Sequence, residues 1–326
     1  MKVFVTGGTG FIGSHLVDKL LQNPSFKTVG CLIRNKEKWL KKREIVKYRG
    51  NLQNLKILKE GTQNIDTVFH LAAITRASSM RDFELHNVEA TENLLRVAIK
   101  NGVSNIVVLS SLAATGPSFS RPVNEDDPLM PVSMYGKSKK LMEQKIHEIA
   151  ADHPDVSIKI IRPPAVYGPR DEEIYSFFKM ATFRLCPIVG DGNHPKISLV
   201  YVKDVTSALI RAASMKNPGV HTYFVAGQDH YSWSEIINAT SVALNRWVYP
   251  VKLSSKWIKA AGKVIEKAAA PFGIYPVFNS EKAHEMTMQW TCSIKKAKKE
   301  LNYEPRYTLQ SGIAETISWY KKHHWL

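Results

Sequence analysis

Cysteine is scarce in this 326-residue chain, and the three present, Cys31, Cys186 and Cys292, are odd in number and far apart. That excludes a disulfide framework and leaves no paired-cysteine metal site; reduced thiols in a cytoplasmic protein are expected. No run of about 18 apolar residues occurs, so no membrane-spanning helix is expected. A secretory leader is not expected either, because the amino terminus runs directly into a short apolar strand, Met1-Lys-Val-Phe-Val-Thr6. Acidic residues are few, 29 against 45 lysines and arginines, for a net charge of +16. Such an excess first suggests nucleic acid, but no nucleic-acid motif accompanies it. The basic residues gather between Arg34 and Arg49 and in the C-terminal third. A polyanionic ligand, a membrane surface or a merely solvated cationic face all fit that distribution.

What is present begins at the first strand. It leads into Gly7-Gly8-Thr9-Gly10-Phe11-Ile12-Gly13, after which Ile12, Leu16, Leu20 and Leu21 recur at helical spacing. A strand, a Gly-x-x-Gly-x-x-Gly turn and a helix can seat a dinucleotide pyrophosphate. Small residues admit the phosphates to the backbone, and the free amides and positive end of the helix meet their charge. Thr6, Gly7, Gly10, Phe11, Ile12 and Gly13 are the candidate contacts.

Strand and helix patterns alternate through the first half, as a parallel sheet requires. Strands are expected at 29–33, 45–48, 67–71, 106–110 and 158–161, and helices near 87–100 and 134–150. The fold class is α/β, a Rossmann-type doubly wound parallel sheet with a smaller, mostly helical C-terminal substrate lobe. Residues 1–165 form the nucleotide-binding domain, its sheet completed by about 197–228, and 166–196 with 229–326 form the lobe. Within the lobe, Leu253, Trp257, Ala261, Val264 and Ala268 share one helical face, while Lys256, Lys259, Lys263 and Lys267 share another. That pattern suits a helix lying on an acidic membrane. The commoner arrangement packs the apolar face on its own domain.

The second chemical signal is Tyr135-Gly136-Lys137-Ser138-Lys139 at the start of a predicted helix. Tyr135 and Lys139, four apart, project from one face. A phenol with its ordinary pKa near 10 is a poor base at neutral pH, and a nearby ammonium stabilises the phenolate. Ser111, just past the strand at 106–110, reaches the same crevice, where its hydroxyl can hold a substrate oxygen while Tyr135 exchanges the proton.

With these residues in place the chain resembles the extended short-chain dehydrogenases/reductases, also described as NAD-dependent epimerase/dehydratases. The resemblance runs through Thr6–Gly13, His70-Leu71-Ala72-Ala73, Asn87-Val88-Glu89-Ala90-Thr91, Ser110-Ser111, Tyr135–Lys139, Arg162-Pro163 to Pro169, and Val202-Lys203-Asp204-Val205. It implies a catalytic triad of Ser111, Tyr135 and Lys139, with Lys139 also bonding the nicotinamide ribose. It places Leu71, Ala72 and Ala73 along the cofactor and Pro163 beside the nicotinamide. Asn87, Asp204 and His70 are read as framework. A homodimer through the helices near 87–100 and 134–150 is also implied.

The end of the second strand governs the adenosine ribose: an acidic side chain accepts from the hydroxyls of NAD, whereas an arginine accommodates a 2′-phosphate. Here Cys31-Leu32-Ile33-Arg34-Asn35-Lys36 offers no acid. Arg34, with Lys36 as a second charge, therefore favours NADP(H) over NAD(H), unless Arg34 merely begins an exposed basic segment. Three departures from the sugar-nucleotide members bear on substrate. Leu112 and Ala113 stand where dehydratases carry Asp and Glu; Ala165 replaces a nucleotide-binding Asn; and Lys196-Ile197-Ser198 replaces an Arg-Asp pair. The expectation is an NADPH-dependent carbonyl reductase or secondary-alcohol dehydrogenase, similar to the 3β-hydroxysteroid-dehydrogenase/dihydroflavonol-reductase branch. Its substrate would be apolar or ring-bearing, walled by 114–119, 166–170 and 174–187 with Tyr175, Phe177, Phe178 and Phe183. A nucleotide-sugar 4-epimerase retaining NAD is the alternative, and a redox-inactive dinucleotide sensor the third reading.

Overall fold

The computed structural model describes residues 1–269, 271, 275, 276 and 278–326. Its first strand, β1 (Lys2–Thr6), sends Val3 and Val5 into one core and Phe4 into another. Burial on both faces is what a central strand of a parallel sheet requires. Around it lie β2 (Thr28–Ile33), β3 (Val46–Arg49), β4 (Thr67–His70), β5 (Asn105–Leu109) and β6 (Ser157–Arg162). Three short strands follow, β7 (Ala165–Tyr167), β8 (Leu185–Val189) and β9 (Ile197–Tyr201), then β10 (Gly219–Phe224), β11 (His230–Tyr231) and β12 (Tyr249–Leu253). Seven of them form one parallel sheet in the order β10-β6-β5-β4-β1-β2-β3. The chain reverses direction across the sheet between β1 and β4, so a crevice opens beyond their carboxyl ends, at Gly7 and Leu71.

Helices cover both faces. On one side, α1 (Phe11–Leu21) lies with α7 (Val202–Ser214) over Val3, Val5, Val29 and Cys31. On the other, α2 (Leu55–Thr62), α4 (Ala90–Lys100) and α5 (Met134–Ala151) bury Leu94, Leu95, Met142 and Ile146 against Phe4, Val68, Ile106 and Ile158. A short helix α3 (Met80–Phe83) joins α4 through a π-helical turn at Glu84–Glu89, so the helix expected near 87–100 is α-helical from Ala90 onward. The remaining helices, α6 (Tyr175–Thr182), α8 (Trp233–Leu244), α9 (Ser255–Ala269), α10 (Ser280–Met286), α11 (Lys295–Leu301) and α12 (Leu309–Lys322), lie in the C-terminal half.

Two expectations need correction. The main sheet is expected to be completed by about 197–228, but β9 within that stretch instead pairs with β7 and β11 in a separate three-stranded sheet. The chain turns away after Arg162, where Pro163 and Pro164 interrupt strand geometry, and only β10 returns beside β6. The apolar face of α9 was expected to pack on its own domain. Ile258 and Gly262 make that contact instead, backing onto Asn279 and Ala283, while Trp257, Ala261, Val264 and Ala268 face solvent. Small residues allow the closer approach, so the packing face is the one with Gly262.

Asp204 is a framework residue, as read. From the first turn of α7 it accepts from the backbone amides of Arg306 (3.0 Å) and Tyr307 (3.2 Å), pinning the segment before α12. Asp204→Ala is expected to leave two amides without acceptors and lower unfolding free energy by about 1–3 kcal/mol. Urea denaturation checks this, and an unchanged midpoint would contradict the anchoring role.

Candidate active site

The glycine turn is a tight cradle. Gly7 adopts φ +74°, and a Cβ on it would lie 2.5 Å from the Ala72 nitrogen; a Cβ on Gly13 would lie 2.1 Å from the Gly7 carbonyl oxygen. Side chains at either place would collide with backbone and force the turn open. The helix after it, α1, starts at Gly10 with no side-chain cap, so its first-turn amides remain available to an anion. Gly7, Gly10, Phe11, Ile12, Gly13, Leu71, Ala73 and Pro163 all line one cleft of about 720 Å³. Thr6 sits behind the turn, its hydroxyl 2.7 Å from His70 Nδ1 and 3.4 Å from the Ala72 amide. Ala72 meets the glycine turn through its backbone rather than lining the cleft.

The same cleft holds Ser111, Tyr135 and Lys139. Ser111 follows β5 and caps the short turn Leu112–Ala114, accepting from the Ala113 amide at 3.1 Å. Helix α5 begins against that turn because Gly136 has no side chain; a Cβ there would lie 2.4 Å from the Ala113 carbonyl oxygen. Ser133 caps the helix by accepting from the Gly136 amide. These two contacts set the Tyr135 phenol in the cleft on the side of Ser111. One turn on, the Lys139 ammonium sits 5.9 Å from the centre of the Tyr135 ring and donates to the Leu109 carbonyl at 3.0 Å.

Electrostatics at the phenol are mixed. Burial raises the Tyr135 pKa, the Glu173 carboxylate raises it further, the Ser111 hydroxyl pulls it down, and Glu285 adds a smaller upward push. Burial also lowers the Lys139 pKa to about 8, against the upward pull of Glu143. Without a bound cation Tyr135 therefore stays protonated at neutral pH. Its own surroundings suit it to hold a proton and deliver it, with Lys139 as the local positive charge.

Behind the site lies an ion pair that the sequence reading did not single out. Glu143, one turn beyond Lys139, accepts from Arg162 Nε at 3.0 Å and Nη2 at 2.5 Å, and from the Ser110 hydroxyl at 2.5 Å. Both charged side chains are buried. The periodicity Tyr135, Lys139, Glu143 was available in the sequence and marks one helix face. His70 is closed off, with Thr6 and Thr91 hydroxyls on its two nitrogens and its pKa lowered by burial to about 3. Asn87 holds the Ile74 backbone and the Ser138 hydroxyl. Both are framework, as read.

Other expected site residues fall elsewhere. Arg34 and Lys36 are exposed beyond the end of β2 and do not line the cleft; Lys38 and Trp39 line it on that side. Of the expected aromatic wall, Phe177 lines the cleft and Phe178 is buried between it and the lobe core, while Tyr175 packs against Tyr320 and Trp325. Phe183 and Phe119 are exposed. The sequence reading missed Phe83, whose ring centre lies 6.3 Å from that of Tyr135, along with Trp233, Met286, Met288 and Trp290. Trp290 arrives through a segment that bridges to β9, where the Ser198 amide donates to the Trp290 carbonyl at 2.6 Å. No periodic pattern in the sequence announces so long a return.

The family model described as NAD dependent epimerase/dehydratase family matches residues 3–227. The chain belongs to the NAD dependent epimerase/dehydratase family. The ceramide reductase of Caulobacter vibrioides is 25% identical over 328 residues, covering 99% of this chain and 96% of that protein. The UDP-glucose 4-epimerase of Vibrio cholerae is 25% identical over 332 residues, covering 97% and 94%. Among solved structures, MoeE5 in complex with UDP-glucose and NAD superposes with a TM-score of 0.80 at 26% identity, covering 99% of this chain and all of that one. Membership accounts for the parallel sheet and the glycine cradle together. Among the described residues no helix is long and apolar enough to cross a membrane, and no cluster of side chains could hold a metal ion.

The buried pair gives a sharp expectation. Glu143→Gln strips the Arg162 guanidinium of its counter-charge in a dry place, which should cost about 3–5 kcal/mol of stability. Chemical denaturation measures it; a loss below about 1 kcal/mol would put the pair in the class of exposed, screened ones.

Proposed function

We propose that this protein moves a hydride between a nicotinamide cofactor and a secondary-alcohol or ketone carbon, with Tyr135 exchanging the oxygen-bound proton. The observation that carries this reading is the convergence of Ser111, Tyr135 and Lys139 on the cleft that contains the glycine cradle. The Gly7–Gly13 cradle and the uncapped start of α1 fit a pyrophosphate, and Leu71, Ala73 and Pro163 would flank the rest of the cofactor. A bound nicotinamide supplies or takes the hydride. Ser111 holds the substrate oxygen, Tyr135 gives or accepts the proton at that oxygen, and Lys139 offsets the charge on the phenolate. Phe83, Phe177 and Trp290 line the same cleft and limit water around the reacting carbon.

For the substrate, we propose net reduction of a ketone on a neutral, largely apolar molecule. The cleft's substrate side presents Ala165, Val166, Phe177, Trp233, Met288 and Trp290, together with the carboxylates Glu173, Glu281 and Glu285. Its cations are Arg76 and Lys282, the latter already paired with Glu285 at 3.3 Å, against three carboxylates. A doubly charged diphosphate would meet more negative than positive charge there. The ceramide reductase relative supports a lipid-like ketone.

The second reading, nucleotide-sugar 4-epimerisation with retained NAD, has more of the comparisons behind it. The Vibrio cholerae relative bears that name, and MoeE5 binds UDP-glucose and NAD. On relatives alone the epimerase is the better supported of the two; the cleft's lining is what argues for reduction. The two separate in one assay. Apolar ketones should consume reduced nicotinamide stoichiometrically, whereas conversion of UDP-glucose to its epimer without net nicotinamide turnover would replace ketone reduction. In either case Tyr135→Phe should lower turnover by about a hundred- to ten-thousandfold while cofactor affinity stays nearly unchanged. Substantial residual activity would remove the proton-transfer role.

The relatives reported above speak for NAD and not for NADP(H). The chain's own ribose end speaks the other way: Arg34 follows β2 directly, exposed, with no acid from Arg34 to Lys36. We propose that NADP(H) is accepted and that Arg34 sets the preference. Arg34→Asp should then move the ratio of NADP to NAD affinities toward NAD by tenfold or so, and an unchanged ratio would remove Arg34 from cofactor selection.

A further inference from the structure

Helix α9 exposes the face that a globular protein normally buries. Trp257 is 73% exposed and Val264 65%, and Ala261 and Ala268 continue the same stripe. At 3.6 residues per turn these four lie within about one-sixth of the helix circumference, while Lys256, Lys263 and Lys267 line its flank about a quarter-turn away. The helix packs on α10 through a third face, that of Ile258 and Gly262, so stripe and lysines are both free.

The exposed surface extends beyond the helix. Strand β12, one residue upstream, pairs with β8 in a two-stranded ribbon whose register sets Tyr249 opposite Leu185, both exposed. Phe183 and Trp247, flanking the ribbon, are exposed too. Segments 179–185 and 242–269 together hold eight lysines and arginines and one acidic residue, Glu266. Glu266 is turned inward, accepting from the amide and hydroxyl of Ser280. Among the described residues these cations have no ion-pair partner and the one acid is turned inward, so aromatic and aliphatic side chains beside cations match the headgroup layer of an acidic bilayer.

We propose that α9 and the β8–β12 ribbon form a docking face for an anionic lipid bilayer. A second copy of the chain fits less well. A twofold interface sets each patch on itself, bringing cations against cations. Nucleic acid would meet the lysines but leave the stripe of Val264 and Ala268 in water. Docking through α9 holds α10 near the lipid, and α10 carries Glu281, Lys282 and Glu285 of the cleft wall. The proposal uses no residue of the cofactor cradle, and its failure leaves the hydride-transfer reading intact.

The test is co-sedimentation of the full chain with phosphatidylcholine vesicles, with and without phosphatidylglycerol. Binding is expected only to the anionic vesicles and should fall as salt is raised. Exchanging Lys256, Lys263 and Lys267 for Glu should lower vesicle partitioning by about a hundredfold. Trp257→Ser with Val264→Ser should also weaken it clearly, while nicotinamide affinity stays unchanged in both variants. The idea fails if the wild-type chain stays in solution with anionic vesicles, or if both variants bind as well as it does. It fails equally if sedimentation velocity without lipid shows a dimer that Trp257→Ser dissociates.

Discussion

The buried contact of Glu143 with Arg162 and Ser110 is the constraint on which the active-site geometry depends. Ser110 closes β5, Arg162 closes β6 and Glu143 comes from α5, so one carboxylate fixes two strand ends to the helix that carries Tyr135 and Lys139. Arg162 extends the tie to β10 by lying 5.5 Å over the Phe224 ring. Two charges taken out of water gain little net stability over an apolar pair, but each strongly penalises displacement of the other. That rigidity matters here because a shift of α5 along its axis would carry the phenol away from Ser111 and the ammonium away from the phenol. The pair also acts electrically, since Glu143 partly offsets the cost of burying the Lys139 ammonium.

The phenol is poised by opposing influences. Burial together with Glu173 holds it protonated, and the Ser111 hydroxyl pulls the other way. A site of this kind changes its proton affinity when a positive charge arrives or leaves, because the surroundings are too dry to screen it. Oxidised nicotinamide carries such a charge and the reduced form does not. Were a nicotinamide bound in the cleft, its reduced form would favour the protonated phenol and its oxidised form the phenolate.

Much of this was legible in the sequence because it rests on local periodicity. The glycine turn, the alternation of strands and helices, and Tyr135 four residues before Lys139 are short-range patterns, and each stands where it was read. What was missed depends on distant returns of the chain. Trp290 reaches the cleft by bridging to β9, some ninety residues earlier in sequence, and no repeat announces it. Strand β9 has the composition of a sheet strand, yet Pro163 and Pro164 had already diverted the chain from the main sheet. The apolar stripe of α9 was correctly seen as a stripe. Which face would pack was decided by Gly262, because backbone closeness outweighed side-chain hydrophobicity.

The attachment of the lobe follows the same logic of shared residues. Asp18 on α1 binds both Arg43 and Arg170, and the Arg170 guanidinium lies 5.2 Å over the Trp39 ring. Trp39 in turn meets Trp319 and Trp325, which belong to the C-terminal aromatic cluster with Tyr175 and Tyr320. Lys38, Trp39 and Arg170 also line the cleft. The side chains that clasp the C-terminal helix to the seven-stranded sheet are thus the ones that border one end of the cleft, and a change at Trp39 or Arg170 acts on both.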